Sequence, residues 1–459
     1  MRITELSAFL RVYPGMRIQR NGQLERIQMV SWRNRILLLL LTAATGVAMG
    51  SVSALFLWLL ALVTGMRERQ PLWIALLPVV GVFTVFLYTR FGKNAQRGNN
   101  LIIDSVNENE QVPLRMGIFT FICTVLTQLV GGSVGREGTA VQVGGTIANV
   151  LGRAFHLHHP YHRILVMAGI SAGFGSVFGM PLAGAVFGME MCFVGHLGYE
   201  ALLPCFVASF TADSVTRALG ITHETYAITS VPAVGWYSLL VVVIAAMIFG
   251  VAGRLFAVAI RALKLFYARR VSHPIPRVLL GSAVLLVAML ALRAVPYAGL
   301  STWMIGAGFA GKAQWYDGPL KLLMTVLSLG AGFQGGEVTP LFDIGAGLGG
   351  WLGLVARLSP SLLAALGMIS VFGCAANTPL TTLIMGFELF GNQSLPFVVI
   401  AVFVSYYVSG RSGIYGAQRV TAGRPFYRPA HPGETLDAAG NRSLTGYLVT
   451  HIMARFKKR

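Results

Sequence analysis

Between two long apolar runs the chain reads Gly-Gly-Ser-Val-Gly-Arg-Glu-Gly-Thr-Ala-Val-Gln-Val-Gly-Gly, from Gly131 to Gly145. This stretch holds Arg136 and Glu137 among six glycines. A carboxylate at membrane depth costs about 2.5–3.5 kcal/mol on insertion scales, so one that is retained there usually serves a function. The glycines indicate backbone that is not one continuous helix. A bilayer tolerates such backbone only where it is buried in protein or lines a watery cavity.

A helix is expected to begin within this stretch, with Thr139 as its N-cap residue. A helix that starts in the middle of a membrane presents free N–H groups and the positive end of its dipole, which together form an anion site. Glu137 beside such a site competes with the anion when it is charged and yields when it is protonated. The stretch therefore predicts a gate.

The composition places this gate in a membrane protein. The chain has 459 residues, of which 55% are hydrophobic and only 12% are charged, and its mean hydropathy is +0.66. Soluble domains carry about 25% charged residues. Apolar runs of helix-spanning length recur along the chain, at 36–66, 72–88, 117–130, 236–258, 278–292 and 395–408. The first run is too long for a cleaved signal peptide.

The net charge of +19 is concentrated at the two ends of the chain. Residues 1–35 hold seven of the 36 basic residues and residues 411–459 hold nine, so sixteen lie in the flanking tails. This distribution predicts that both termini are cytoplasmic, with an even number of crossings. No basic fold motif or stacking platform accompanies the charge, which argues against nucleic-acid binding.

The cysteines and histidines do not predict a metal site or a cofactor. The four cysteines lie in apolar runs without C-x-x-C spacing and are interpreted as buried thiols, at Cys123, Cys192, Cys205 and Cys374. The histidine-rich segment 156–162 contains Pro160 and lies where two helices must be joined. It is interpreted as a solvated loop, as is the charged segment 67–69.

The second half of the chain repeats the first. Residues 181–190 are echoed by 379–388 at an offset of 198, and residues 135–139 are echoed by 335–339 at an offset of 200. Two echoes at nearly the same offset indicate an internal duplication. We predict a basic segment over 1–34 along the inner membrane surface, membrane repeats over 35–220 and 221–418, and a basic cytoplasmic tail over 419–459. In transporters such repeats meet at a midplane site made of broken helices.

The start signals predict an all-α polytopic membrane protein with discontinuous helices. Helices are expected to begin near Ser105, Thr139, Thr339 and Thr378, and prolines follow the last two of these directly. Glu337 would then face Glu137 across one pathway. The glycine-dense segment 345–350 is interpreted as close packing between helices rather than a dinucleotide loop.

An intramembrane enzyme is the functional class that the sequence supports least. Gly169-Ile170-Ser171-Ala172-Gly173 fits the G-x-S-x-G pattern of serine hydrolases. That pattern requires a strand-to-helix elbow and a base in position. Here it lies in an apolar helical run, so we favour small-residue packing and predict that the chain is not an intramembrane enzyme.

The duplicated motifs resemble those of the CLC family of anion channels and proton-coupled antiporters. The resemblance covers about residues 35–418. It implies a homodimer in which each subunit, an inverted-topology repeat, holds its own anion pore at the bilayer midplane. It further implies that Glu137 is the gating glutamate and that Tyr415 is the pore tyrosine whose hydroxyl faces the central anion.

Several positions depart from the chloride-handling pattern. The serine of its Gly-Ser-Gly-Ile-Pro motif is replaced by Asn99 or Asn100, and the shared glycine favours Asn99. The proline expected after Glu-Gly is Thr139, and Glu337 adds a second carboxylate at the pore. Met191 occupies the position of the inner proton-transfer glutamate.

These departures resemble the bacterial fluoride-specific branch, which implies proton-coupled fluoride export, fluoride resistance and a location in the bacterial inner membrane. The alternative is transport of chloride or another anion, either coupled to protons or as a channel. We expect Glu137 to exchange protons with the outside and Glu337 to couple fluoride to protons inside the pore. The predicted anion-binding residues are Asn99, Asn100, Gly138, Thr139, Val338, Thr339 and Tyr415.

Some of these residues also have a purely structural interpretation. Glu137 could form an ion pair with Arg136, although adjacent residues at a helix start point in different directions. Glu337 could pair with a basic side chain elsewhere. Tyr415 could be an aromatic residue at the membrane interface.

Helix capping is the structural alternative for the others. Asn99 and Asn100 could cap the helix that follows them, and Thr339 is expected to be a cap whether or not it contacts fluoride. Glu190 and Glu388 are expected to make structural hydrogen bonds at helix ends.

Overall fold

The computed structural model describes residues 16–18, 24–26, 32–421 and 433–441. Most of the predicted surface segment 1–34 and most of the predicted tail 419–459 lie outside the described residues. Residues 16–18 and 24–26 form a short antiparallel pair, β1 (Met16–Ile18) with β2 (Leu24–Arg26).

Helices make up most of the described chain. Those before residue 220 are α1 (Trp32–Arg69), α2 (Leu77–Phe91), α3 (Asn99–Glu108), α4 (Leu114–Leu129), α5 (Glu137–Ala154), α6 (His159–Phe178), α7 (Pro181–Glu190) and α8 (Leu202–Ala218). Those after it are α9 (Trp236–Arg270), α10 (Pro274–Ala291), α11 (Trp303–Phe309), α12 (Asp317–Ala331), α13 (Val338–Val355), α14 (Pro360–Ala376), α15 (Pro379–Phe390), α16 (Leu395–Ser409) and α17 (Leu436–Asn441). Short 3-10 helices span Pro71–Leu76, Lys93–Arg97, Tyr199–Ala201 and Val295–Tyr297.

Five spans among the described residues are long and apolar enough to cross a membrane: Asn34–Arg69, Pro71–Phe91, Trp236–Arg270, Pro274–Ala291 and Val338–Val355. Helices α5 and α13 begin inside the protein, as the broken-helix prediction requires, since their first residues Glu137 and Val338 are buried. Mid-membrane helix ends are tolerated because they are buried in protein.

The predicted solvent loop at 67–69 is wrong, because helix α1 continues to Arg69. Arg67 is buried, and its guanidinium donates a hydrogen bond of 2.6 Å to the carbonyl of Gln128. That carbonyl lies near the C-terminal end of α4, where carbonyl groups lack partners within the helix. A charged side chain in this place links two helices instead of marking a loop.

The helix start predicted near Ser105 is also wrong. Ser105 lies inside α3, and its hydroxyl donates to the carbonyl of Ile102 at 2.8 Å. Bonding of this kind lets serine sit within a helix instead of capping one. The helix begins six residues earlier, at Asn99.

Helices α7 and α15 cap each other. The carboxylate of Glu190, at the end of α7, accepts hydrogen bonds from the backbone N–H groups of Leu380 (3.0 Å) and Thr381 (2.8 Å) at the start of α15. The carboxylate of Glu388 on α15 accepts from Leu182 (3.0 Å) and Ala183 (2.8 Å) at the start of α7. The expected structural role of both glutamates is confirmed.

Segment 181–190 and its repeat 379–388 therefore each supply the carboxylate that caps the helix start of the other. Thr378 is the N-cap residue of α15, as predicted, but its side chain makes no capping bond. The carboxylate from α7 supplies the acceptor instead.

Glycines hold helix pairs at close range in both halves. A Cβ atom on Gly345 of α13 would overlap the carbonyl of Gly367 on α14, and one on Gly169 of α6 would overlap the carbonyl of Gly144 on α5. The packing interpretation of segment 345–350 is confirmed. It also explains the first glycine of the G-x-S-x-G pattern, since Gly169 allows α6 to approach α5.

A small sheet lies near the end of the described chain. Strand β3 (Phe193–Val194) pairs in parallel with β4 (Arg419–Val420), which pairs antiparallel with β5 (Glu434–Thr435). The described chain is therefore almost entirely helical. These three strands join residues 419–420 and 434–435 to the loop after α7.

Candidate functional site

The two motif loops predicted to face each other are in direct contact. Gly135 and Gly336 exchange backbone hydrogen bonds of 2.6 and 2.7 Å across an antiparallel bridge. A Cβ atom on Gly336 would lie 2.7 Å from the nitrogen of Gly138 and 2.8 Å from that of Glu137. The close approach of the loops therefore requires glycine.

The two threonines predicted to be N-caps are not caps. Helix α5 begins at Glu137 and α13 begins at Val338, so Thr139 and Thr339 both lie within the first helical turn. The hydroxyl groups of Thr139 and Thr124 are 2.6 Å apart and share a hydrogen bond, whereas that of Thr339 donates to Glu137. The backbone N–H of Thr339, in the first turn of α13, finds its acceptor in the other half of the protein.

That acceptor is the carboxylate of Glu137, which is completely buried. One oxygen, Oε2, accepts from the backbone nitrogens of Thr339 (3.0 Å) and Arg136 (3.1 Å). The other, Oε1, accepts from the hydroxyl of Thr339 and from Nε of Arg136 (3.3 Å). The carboxylate thus occupies the positive end of the α13 dipole, the place where an anion binds at a helix start.

The expectation that Arg136 and Glu137 point in different directions is wrong. Their side chains form an ion pair, with 3.3 Å between Nε and Oε1. The carboxylate can reach both Arg136 and Thr339 because the antiparallel bridge brings the two loops together. The ion pair is compatible with the gating role expected of Glu137, because the Arg136 guanidinium is partly exposed whereas the Glu137 carboxylate is completely buried.

Glu337 lies in a different environment, on the wall of a cavity of about 550 Å³. The cavity is also lined by Asn99, Asn100 and Tyr415, and by Lys264 on α9. Lys264 interacts electrostatically with Glu337. Four of the predicted site residues therefore share one cavity, while Glu137 is not among its lining residues and binds Thr339 at the start of α13.

The two asparagines have different surroundings. Asn100 Oδ1 accepts a hydrogen bond of 3.0 Å from the backbone nitrogen of Ala417, so it holds the loop that carries Tyr415. The amide nitrogen of Asn99 lies 3.2 Å from where a Cβ atom on Gly138 would be, at the start of α5. Neither side chain caps α3. Both asparagines line the cavity, but Asn100 is engaged in a structural hydrogen bond whereas Asn99 lies beside the start of α5.

Tyr415 is buried, with 2% of its surface exposed, in the loop that follows α16. The neighbouring Ile414 donates its backbone N–H to the carbonyl of Ala375 at 2.9 Å. Burial of Tyr415 in the protein does not match an aromatic side chain at the membrane interface.

The sequence model of the family described as voltage gated chloride channel matches residues 80–410. This match covers more than half of the chain and includes both motif loops. The chain belongs to the CLC family. The predicted all-α polytopic fold, with an inverted-topology repeat and discontinuous helices, is the fold of this family.

Relatives of this CLC protein include proteins that handle fluoride and chloride. The chloride/fluoride channel protein of Pseudomonas syringae pv. tomato is 46% identical over 379 residues, which cover 81% of this chain and 84% of the relative. The H(+)/Cl(-) exchange transporter ClcA of Yersinia pseudotuberculosis is 26% identical over 388 residues, covering 78% and 77%.

Solved structures of the family superimpose on this chain. A CLC-type fluoride/proton antiporter has a TM-score of 0.82 at 37% identity, covering 85% of this chain and 100% of the other. A slow cyanobacterial Cl-/H+ antiporter has a TM-score of 0.71 at 18% identity, covering 91% and 98%. The second likeness concerns the fold alone.

Sequence reasoning missed a buried ion pair in this CLC protein. Lys321 and Asp343 are both completely buried, with 3.4 Å between Nζ and Oδ2. Lys321 also donates to the carbonyl of Gly299 (2.8 Å) and to the hydroxyl of Ser301 (2.6 Å). A lysine and an aspartate within apolar helical runs are rare, which is the signal that could have found them.

Asp343 lies four residues after Thr339 on α13, and therefore on the same face of the helix. It interacts electrostatically with Glu137. Asp343 is thus a further carboxylate in the surroundings of Glu137, and Lys321 neutralises it in part.

Met191 follows Glu190 at the end of α7, and its side chain is completely buried. Its carbonyl accepts a hydrogen bond of 3.0 Å from Nε2 of Gln418. Met191 therefore makes a structural contact with the Tyr415 loop and has no titratable group. This is consistent with the interpretation that another residue must carry the inner proton.

The histidine segment is only partly a loop, because α6 begins at His159. His162 is buried, and its ring nitrogen Nε2 lies 3.4 Å from the carbonyl of Asn149. Within the described ranges, no cluster of three histidine, cysteine or acidic side chains could hold a metal ion. The histidines therefore do not build a metal site in this part of the chain.

Ser171 of the G-x-S-x-G pattern lies inside α6. Its hydroxyl contacts the carbonyls of Met167 (3.2 Å) and Ala185 (3.3 Å). It has neither the elbow nor the exposure of a nucleophile, and membership of the CLC family points to transport.

Proposed function

We propose that this CLC protein exports fluoride in exchange for protons. The observation that carries the proposal is the binding of the Glu137 carboxylate to the N–H and hydroxyl groups of Thr339. These donors form a site for a small anion that the protein's own carboxylate fills. Protonation of Glu137 removes the charge that binds it there, so that the donors become available to an anion arriving from the cavity.

Fluoride fits such a site because it is small, hard and strongly hydrated. A site that takes it out of water must supply short, strong hydrogen bonds, and charged acceptors strengthen such bonds. The hydroxyl groups of Thr339 and Tyr415, the amide of Asn99 and the backbone groups at the starts of α5 and α13 can all donate. Gly138 and Val338 would contribute through their backbone, and Thr139 through its place in the first turn of α5.

Glu337 would couple the anion to the proton. It lies on the cavity wall with Asn99 and Tyr415, where a protonated carboxylic acid can donate to fluoride and a carboxylate repels it. Lys264 on the same wall stabilises the carboxylate after the proton leaves. Glu137 would then exchange protons with the outside, and Glu337 would exchange them with the side on which the cavity opens.

The relatives support fluoride as the substrate. One is named a chloride/fluoride channel protein, and the solved structure with a TM-score of 0.82 is a fluoride/proton antiporter. Export of this kind would confer resistance to fluoride on the cell.

We further propose a homodimer in the bacterial inner membrane with both termini cytoplasmic. The family resemblance supports the dimer, and the basic residues in the two tails support the orientation of the termini. The division into repeats at residue 220 remains a prediction; it falls in the segment between α8 and α9.

Purified protein in liposomes tests the function. Vesicles loaded with fluoride and given an inward proton gradient are followed with a fluoride electrode and a pH probe. Wild-type protein should drive fluoride efflux with proton uptake, and Glu337→Gln should abolish the coupling, because a glutamine cannot release a proton. Glu200→Gln serves as the matched control, since Glu200 pairs with Arg163 on the protein surface at 3.2 Å.

Two results would overturn the proposal. One is proton-coupled fluoride transport by Glu337→Gln at the wild-type rate, which would remove Glu337 from the mechanism. The other is a fluoride-over-chloride flux ratio near one, which would favour the alternative of a chloride or general anion transporter.

A further inference from the structure

Residues 433–441, here called the C-terminal clamp, lie against the loop that carries Tyr415. Two backbone hydrogen bonds join them, from the nitrogen of Leu436 to the carbonyl of Gln418 (2.8 Å) and from that of Asp437 to the carbonyl of Gly416 (3.0 Å). Strand β5 of the clamp also pairs with β4, which continues directly from the loop. The clamp therefore fixes the backbone immediately after Tyr415.

Side chains of the clamp cover both glycines that flank Tyr415. A Cβ atom on Gly413 would lie 2.8 Å from a methyl group of Leu436, and one on Gly416 would overlap the carboxylate of Asp437. Leu436 is buried, with 2% of its surface exposed. The loop can shift toward this side only if the clamp moves.

Arg261 anchors the clamp to a membrane helix. Its guanidinium donates to the carboxylate of Asp437, and it lies on α9 three residues before Lys264 of the cavity wall. The side chains of Arg261 and Asp437 are 34% and 54% exposed. Exposed ion pairs contribute little to stability, so this contact can be removed without unfolding the protein.

We infer that the C-terminal clamp positions Tyr415 in the pore, and that the Arg261–Asp437 pair is the contact that sets this position. The inference rests on the proposed function, because it assigns the clamp a part in choosing between anions. A small shift of the Tyr415 hydroxyl would favour an anion larger than fluoride, since a fluoride site depends on short donor distances. Arg261 and Asp437 are positioning residues that contact no anion themselves.

The test measures the fluoride-over-chloride flux ratio of full-length protein in liposomes. We expect Asp437→Asn and Arg261→Gln each to lower this ratio, roughly 2- to 5-fold, the range that the loss of one exposed ion pair can supply. The double variant should be no worse than the more affected single variant, because both changes break the same contact. Arg269→Gln, which removes a positive charge from the end of α9, should leave the ratio unchanged.

A flux ratio that stays at the wild-type value in both single variants would overturn the inference. Additive losses in the double variant, together with a lower unfolding temperature, would also overturn it, since they would indicate general damage to the fold. The wild-type measurement separately tests the proposed function. If wild-type protein carries chloride as well as fluoride, that function fails, while the change of the ratio in the variants still tests the clamp.

Discussion

The carboxylate of Glu137 accepts hydrogen bonds from both the backbone nitrogen (3.0 Å) and the hydroxyl of Thr339, a residue 202 positions further along the chain. A side chain of the first half thereby caps a helix of the second. The contact is charged, buried and made to donors that an anion would also use. In the proposed mechanism, gating depends on the making and breaking of this contact.

Glu137→Gln should uncouple fluoride from protons. A glutamine side chain has nearly the same shape, but it cannot release a proton, and its charge no longer binds it to the donors of α13. We expect fluoride to pass while proton transport falls at least tenfold, a loss in the range of removed general acid–base groups. Parallel recording with a fluoride electrode and a pH electrode checks this, with Glu200→Gln as the surface control. Full proton coupling in Glu137→Gln would exclude this residue as the gate.

Thr339→Val should weaken the anion site while keeping the shape of the side chain. Hydrogen bonds to charged groups contribute about 1.5–3 kcal/mol, so fluoride flux should fall roughly tenfold to a hundredfold. Thr139→Val is the matched comparison from the other half. Because its hydroxyl bonds to Thr124, it should cost less than Thr339→Val in the same flux assay. Equal losses in the two variants would contradict the asymmetry of the site.

Substitutions of Asn99 and Asn100 should have different effects on transport. Asn99→Ser should lower fluoride-over-chloride selectivity, because the amide donor beside Gly138 is lost. Asn100→Ala should instead reduce the flux of both anions, because the backbone nitrogen of Ala417 loses its acceptor and the Tyr415 loop loosens. Flux ratios and absolute rates of the two variants, measured side by side, check this. A selectivity loss confined to Asn100→Ala would reverse the assignment.

Breaking the buried pair of Lys321 and Asp343 should strongly lower the stability of the protein, whereas replacing both residues together should lower it little. Asp343→Asn leaves the Lys321 ammonium without its countercharge, and losing one partner of a buried pair costs about 3–5 kcal/mol. Replacing both residues together, by Lys321→Met with Asp343→Leu, should recover most of this stability. Thermal unfolding of the protein in detergent measures both effects. A single variant as stable as wild-type protein would mean that the pair is not a structural unit.

The sequence was informative where the physical signal is local. Long apolar runs predicted four of the five candidate spans among the described residues, and the repeat of motif 135–139 at 335–339 predicted that these two segments would meet. The glycines of segment 345–350 predicted close helix packing. Each of these signals depends on residues within one element or on a direct comparison of two segments.

The caps could not be predicted in this way. Thr139 and Thr339 fit the local rules for a helix start, yet the acceptor at α13 is Glu137 of the opposite half. At α7 and α15 the acceptors are Glu388 and Glu190, again from the partner segment. Rules for capping describe neighbours in sequence, whereas an inverted repeat supplies its caps across the interface between its halves.

The Arg67 and clamp contacts were missed for a related reason. A run of charges such as 67–69 is usually a solvated loop, but the carbonyl of Gln128 offers Arg67 a buried acceptor. Asp437 likewise lies in a C-terminal tail of basic composition, which gave no reason to expect its contact with Arg261. In both places one long-range contact outweighed the local composition.

The proposed mechanism requires that Glu137 and fluoride use the same donors in turn. Its most direct test is a structure of the wild-type protein determined at low pH in saturating fluoride, compared with one determined at high pH without fluoride. We predict that at low pH the Glu137 carboxyl leaves Thr339 and an ion lies within hydrogen-bond distance of the Thr339 nitrogen and hydroxyl. A carboxylate that stays bonded to Thr339 in both structures, while the same preparation transports fluoride, would contradict the claim.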